Sequence, residues 1–159
     1  DSRTARVAEG LLGEVAAVAN CDQSQEIVDL GSLLESAGAP MGADARERYA
    51  APLSSVKGAR LLVVASPTFK ATYTGLLKAF LDLFDASSLS GTVAIPVMTV
   101  GSATHHMAAG MHLAPLLVEL GAVVPASPLV VEESQFGDVA NLLSDWMGIN
   151  GKFLGRLLR

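Results

Sequence analysis

The 159 residues carry 11 basic against 16 acidic side chains, a formal net charge of −5, and half of them are hydrophobic. That balance excludes a disordered chain and speaks against nucleic acid or an anionic membrane as the main partner, since both reward clustered Lys and Arg. A single cysteine, Cys21, excludes an internal disulfide framework and a multi-cysteine metal site; it fits a reducing cytoplasm, and the length suits one domain, 1–159.

Residues 5–19 are rich in Ala, with Val7, Leu11, Leu12, Val15 and Val18 on one side, and read as a helix. Asp1, Ser2 and Thr4 are its N-cap candidates. Residues 25–30 read as a short strand and 33–41 as a loop interrupted by Gly38 and Pro40. Residues 44–56 suit a helix damaged by Pro52. Residues 60–65 are apolar between polar neighbours, as expected of a strand buried on both faces. A loop, 66–70, leads to a helix over 74–84. Residues 92–100 form the next strand, and Pro96 within it demands a bulge or an edge-like position because proline cannot donate to a ladder. After a loop at 101–104, residues 107–120 are helical and stop at Gly121. The last strand lies within 123–131 and the last helix spans 139–158, with Gly148 and Gly151 as weak points.

Strands alternating with helices imply βαβ units and a doubly wound parallel sheet. Such a sheet begins with a strand, whereas this order begins with a helix and the chain has no initiator Met. The expectation is that an upstream strand belongs to the protein and would sit in the middle of the sheet. No apolar run approaches the roughly 20 residues that cross a bilayer.

Ligands of open α/β sheets bind beyond the carboxyl ends of the strands, which directs attention to residues 1–4, 66–75 and 101–106. Ser2, Arg3 and Thr4 bring two hydroxyls and a guanidinium to a helix N-terminus, a setting suited to phosphate; taken alone, an ordinary N-cap with a solvated Arg3 is the plainer explanation. In the second loop, Pro67 stiffens the turn, the amides at Thr68, Phe69 and Lys70 can face a flat ligand, Phe69 can cover a ring, and Thr74 can cap the next helix. Packing of Phe69 and solvation of Lys70 are the plainer alternatives. Extra apolar residues in 74–84 and 107–120 suit either the core or a subunit interface. His105 and His106 can orient a carbonyl or simply face solvent. No carboxylate stands at ligand spacing from the histidines, so a metal site is not expected. Ser66 lacks the surroundings of a hydrolase nucleophile, and Asp82 and Asp85 suit the polar face of a helix.

The run ASPTFKATYTGLLKAFLDLFDASSLSGTVAIPVMTVGSATHH resembles the signature of NADPH-dependent FMN reductases, including those that serve alkanesulfonate monooxygenases. The family carries a Ser-Pro-Xaa-Tyr-Lys-Xaa-Xaa-Tyr-Thr-Gly-Xaa-Leu-Lys stretch and then a strand ending in a Gly-Gly-Ser-like turn. Ser2-Arg3-Thr4 also matches the end of the family's phosphate loop. The resemblance implies a flavodoxin-like α/β fold with a five-stranded parallel sheet, FMN as cofactor, and NADPH or NADH as co-substrate. It implies that Ser2, Arg3 and Thr4 hold the FMN phosphate, that Pro67, Thr68, Phe69 and Lys70 border the isoalloxazine and ribityl chain, and that Gly101 and Ser102 contact the ring. Phe69 departs from the usual tyrosine and Val100-Gly101 from the double glycine. Met111 and His112 stand where some members insert a tyrosine that governs oligomer state and flavin exchange.

The implied activity is hydride transfer from nicotinamide to flavin, with reduced FMN supplied to a flavin-dependent monooxygenase. A homodimer or homotetramer in the cytoplasm is implied as well. Rival readings are a quinone, azo or metal-oxyanion reductase of the same fold, a flavodoxin-like electron carrier, and a homologue that has lost the site. The mild charge and 5% aromatic content favour the reductase over the carrier.

Overall fold

A computed structural model describes residues 2–20 and 25–159. Asp1 and Cys21 lie outside the described residues.

Three strands form a parallel sheet in the order β1-β2-β3: β1 (Leu61–Pro67), β2 (Val93–Val100) and β3 (Leu129–Glu132). Among the described residues, seven α-helices surround it. They are α1 (Arg3–Ala19), α2 (Leu30–Ala37), α3 (Ala45–Arg48), α4 (Ala50–Gly58), α5 (Gly75–Leu81), α6 (Ala114–Glu119) and α7 (Val139–Leu157). Alternation along β2 divides the core between the two faces of the sheet. Val93, Ile95 and Val97 pack with Val7, Leu11 and Val15 of α1 and Leu143, Trp146 and Leu154 of α7. Ala94 and Met98 face the other way, toward Tyr49, Leu53, Leu77, Phe80, Leu113 and Leu117. All eight residues of β2 are buried, as the central strand of a two-sided sheet requires.

Pro96 is accommodated without a bulge. Its pairing with Val64 of β1 runs in register. On the other side, the Ala94 N–H donates to the Val123 carbonyl at 2.8 Å, and regular pairing with β3 starts only at Val97–Leu129. Position 96 faces the same side as position 94, so its missing donor falls where the neighbouring chain, residues 124–128, has left the ladder. This is the edge-like position that a proline needs.

Four local expectations are corrected. Residues 25–29 form no ladder; Asp29 instead caps α2, its carboxylate accepting from the Gly31 and Ser32 amides, so residues 30–37 are a helix rather than strand and loop. The helix foreseen at 44–56 is split at Tyr49 into α3 and α4, because Pro52 has no N–H for the Arg48 carbonyl. Side chains Leu61 to Ala65 of β1 are half-buried rather than fully buried, and among the described residues no strand pairs with the outer edge of β1. Gly148 and Gly151 do not interrupt α7, which is continuous over 19 residues.

The helical stretch after β2 is irregular. It opens with a 3₁₀ turn (Ala103–His105), passes through a π-helical segment (Ala109–Leu113), and becomes regular in α6. The π segment lies at Met111 and His112. Among the described residues, no helix is long and apolar enough to cross a membrane.

Candidate functional site

The carboxyl ends of the three strands are tied together by a few polar contacts centred on Thr99. This residue is buried near the end of β2, the last polar position of an otherwise apolar strand. Its hydroxyl lies 2.8 Å from the Thr4 hydroxyl in the first turn of α1. Its carbonyl accepts the Thr68 N–H at 2.9 Å, just beyond β1. The loop after β2 is joined to the end of β3 by His106 Nε2 and Glu132 Oε1, 2.7 Å apart. Arg3 joins α1 to the same end through Glu133, at 2.8 Å. The three loops singled out from the sequence therefore meet at one end of the sheet.

At α1, Ser2 is the N-cap: its hydroxyl accepts the Ala5 N–H at 3.3 Å. Thr4 does not cap; it turns toward Thr99. The Arg3 guanidinium carbon sits 4.7 Å from the centre of the Phe136 ring. The Ala5 and Arg6 amides are taken by the Ser2 hydroxyl and carbonyl, so the amides that have no acceptor within the helix and can meet an anion beside the guanidinium are those of Arg3 and Thr4.

In the second loop, Ser66 and Pro67 belong to β1 rather than to the loop. Ser66 is buried; its hydroxyl donates to the Pro67 carbonyl at 2.8 Å and accepts the Thr74 N–H at 3.0 Å. It closes the loop onto the start of α5, where Thr74 caps by accepting the Leu77 N–H. Between them, Phe69 and Thr72 exchange two backbone hydrogen bonds, of 2.9 and 3.2 Å. The two residues bridged, Lys70 and Ala71, both have positive φ, 53° and 66°. This is the pattern of a type I′ turn built without glycine or asparagine. It carries Phe69 outward, 64% exposed. The expectation that the Thr68 and Phe69 amides face a ligand is corrected: both donate within the protein.

Several observations bear on whether a flavin fits. The Thr68 hydroxyl is buried and has no hydrogen-bond partner among the described residues, a costly state that calls for an explanation at a functional site. A Cβ built on Gly101 meets nothing within 4 Å, so open space rather than the protein's own packing lies over that residue. Phe69, Lys70, Gly101 and Ser102 are all exposed. The donors and the exposed ring suit a planar, phosphorylated ligand laid on this end of the sheet. Two shallow grooves elsewhere, of about 370 and 540 Å³, lie beside α4 and α6 and include none of these residues.

Thr99, Glu132, Glu133 and Phe136 were not singled out from the sequence. A lone polar residue late in an apolar strand marks Thr99, and two carboxylates directly after Leu129-Val130-Val131 mark the other strand end.

A doubly wound parallel sheet with these loops at its carboxyl end defines a flavodoxin-like protein; a flavodoxin from the domain Archaea superposes with a TM-score of 0.58 at 16% identity, over 96% of this chain and 90% of that one. The model of the family described as NADPH-dependent FMN reductase matches residues 1–136, and the chain belongs to that family. It is an NAD(P)H-dependent FMN oxidoreductase by that membership. An FMN reductase (NADPH) of Pseudomonas aeruginosa is 30% identical over 138 residues, 84% of this chain and 74% of the relative. The NADH-dependent FMN reductase SfnF of Pseudomonas fluorescens is 29% identical over 86% of this chain and 73% of its own length. Among solved structures, an oxidoreductase from Corynebacterium diphtheriae is similar with a TM-score of 0.79 at 29% identity, covering 98% of this chain and 88% of that one. The apo form of the NADH:FMN oxidoreductase EMOB is similar with a TM-score of 0.75, at 29% identity, over 100% of this chain and 84% of that one.

Proposed function

We propose that residues 1–159 act as a single FMN-binding domain that reduces FMN with NADPH or NADH and supplies reduced FMN to a partner monooxygenase. The observation that carries the reading is the junction at Thr99, which holds the first turn of α1 and the tip of β1 within hydrogen-bond distance of one residue. Ser2, Arg3 and Thr4 would take the phosphate. Pro67, Thr68, Phe69 and Lys70 would border the ribityl chain and ring, and Gly101 and Ser102 would line the ring from the neighbouring loop. FMN supplies the redox chemistry, accepting a hydride from the nicotinamide.

The protein's own contribution is positional. Phe69 offers an apolar face at the rim, beside a turn closed by its two backbone hydrogen bonds with Thr72. Thr99 and Ser66 hold two loops in place from below. Alignment of this kind lowers a barrier by several kcal/mol, up to about 7–11 in favourable cases.

Delivery to a monooxygenase is supported by the relatives SfnF and SfnE, named NADH-dependent FMN reductases, and by the openness of the site, which suits exchange. A cytoplasmic setting is proposed from the reaction, which draws on nicotinamide nucleotides. A homodimer or homotetramer is supported by exposed Met107, Met111 and Val118 on the segment after β2; Leu77, Phe80 and Leu81 of α5, by contrast, go into the core. The half-buried β1, whose outer edge has no partner strand among the described residues, supports a sheet of five strands in the family's manner.

Mixing the protein with FMN and NADPH or NADH and following nicotinamide absorbance tests the reading. Oxidation that saturates with FMN is expected; no oxidation with either nucleotide would overturn it. Turnover independent of added FMN, with quinone or azo acceptors, would favour the rival reductase.

A further inference from the structure

The segment following β3 brackets Arg3 from two sides. Glu133 and Phe136 are three residues apart on a 3₁₀ turn (Glu133–Asp138), so their side chains lie on one face. The carboxylate accepts from the guanidinium at 2.8 Å, and the guanidinium carbon lies over the Phe136 ring, 4.7 Å from its centre. Both members of the ion pair are more than half exposed, at 53% and 59%. An exposed pair of this kind is weak, and a phosphate with up to two negative charges outcompetes it for the same N–H groups.

We infer that Glu133 is an internal competitor for the FMN phosphate: it pairs with Arg3 and weakens retention of FMN. This rests on the reading of Arg3 as a phosphate ligand. Whether Glu133 gives up its hydrogen bond or stays beside the bound phosphate, its charge opposes binding. Phe136 holds the guanidinium independently of the carboxylate, so removing the charge does not release Arg3. A weakened hold on FMN suits a protein from which the reduced flavin must leave.

The test is a fluorescence titration of the full chain with FMN and with riboflavin, which lacks the phosphate. Glu133→Gln is expected to lower the FMN Kd roughly two- to five-fold, to slow FMN release in stopped flow, and to leave riboflavin unchanged. Glu35→Gln, the same charge change on α2, is expected to leave the FMN Kd unchanged. In an Arg3→Gln background the gain is expected to shrink, because competition for the guanidinium is gone and only the repulsion between carboxylate and phosphate remains. An unchanged or higher FMN Kd in Glu133→Gln would overturn the competitor role, as would an equal gain for riboflavin or for Glu35→Gln. If Arg3→Gln itself leaves the FMN Kd unchanged, the phosphate reading fails and the inference with it. If Arg3→Gln weakens FMN binding while Glu133→Gln is silent, only the inference fails. Near-ultraviolet circular dichroism of each variant verifies that it is folded.

Discussion

His106 Nε2 lies 2.7 Å from Glu132 Oε1, joining the loop after β2 to the last residue of β3. Glu132 also caps the turn that follows: its side chain accepts from the Gln135 amide, and the Gln135 side chain accepts the Glu132 N–H at 2.8 Å. One carboxylate thus orders both the loop bearing Gly101 and Ser102 and the turn bearing Glu133 and Phe136. The adjacent carboxylate, on Glu133, reaches α1. Two consecutive residues at one strand end therefore secure separate parts of the site.

Loss of the His106 contact should loosen the 101–106 loop more than the fold. His106→Ala is expected to cost about 1 kcal/mol or less in stability, because the pair is partly exposed, and to raise the FMN Kd roughly two- to five-fold. His106→Gln, which retains a donor, should recover most of the affinity. Hydrogen exchange across residues 101–106, read beside a flavin titration, checks this; equal exchange in wild type and His106→Ala would contradict it.

The acid limb of stability should carry a contribution from Asp44. Its carboxyl is held below the ordinary value of 3.8, first by the hydrogen bond from Arg48, then by a backbone hydrogen bond and the charge of Arg48. Arg48 also donates to the carbonyls of Ala37, Ala39 and Met41, so the pair braces the connection between α2 and α3. A depressed folded-state value means that the stabilisation is fully present above pH 3.8 and is lost as pH falls below it, through the folded value. Asp44→Asn should therefore be less stable than wild type at neutral pH and converge with it in acid. Urea midpoints measured from pH 6 down to about pH 2 test the sign; a gap that widens in acid would refute it.

The parts of the fold legible in the sequence are those where local pattern and tertiary demand agree. The apolar runs of β1 and β2 and the one-sided helix α1 needed no knowledge of the rest of the chain. Residues 25–29 misled because a β-rich run becomes a strand only when a neighbour accepts its ladder, while Asp29 offers its carboxylate to the Gly31 and Ser32 amides regardless. Pro96 was correctly read as needing an unpaired side, but which side depends on where the chain leaves β2 after Val123. The site divides in the same way. Its loops were visible as strand ends, whereas the Arg3–Glu133 and Thr4–Thr99 contacts span 130 and 95 residues. No spacing rule reaches so far.

The turn behind Phe69 should be strained. Lys70 and Ala71 hold left-handed φ values that cost an L-residue about 1–2 kcal/mol each. Ala71→Gly removes that cost but adds about 0.5–1 kcal/mol of chain entropy lost on folding. A net gain of about 0.5–1 kcal/mol is expected, seen as a higher urea midpoint at unchanged slope. If the turn's rigidity holds Phe69 at the rim, the same variant should bind FMN more weakly despite being more stable.

Two glycines of α7 should respond in opposite directions. Gly148 is exposed and a Cβ there meets nothing within 4 Å, so Gly148→Ala should stabilise by about 0.5–1 kcal/mol through better helix propensity. Gly155 is buried where α7 crosses α1, and a Cβ there would stand 2.8 Å from the Val18 carbonyl oxygen. Backbone cannot rotate aside as the end of a side chain can, so Gly155→Ala must push the two helices apart, at a cost of about 1–3 kcal/mol. Because α1 also carries Arg3 and Thr4, that shift should reach the far end of the helix and weaken FMN binding, while Gly148→Ala leaves it unchanged. Paired urea melts and flavin titrations of the two variants separate this coupling from a loss of stability alone: weakened binding by Gly155→Ala well below its melting range supports it, and unaltered binding there rules it out.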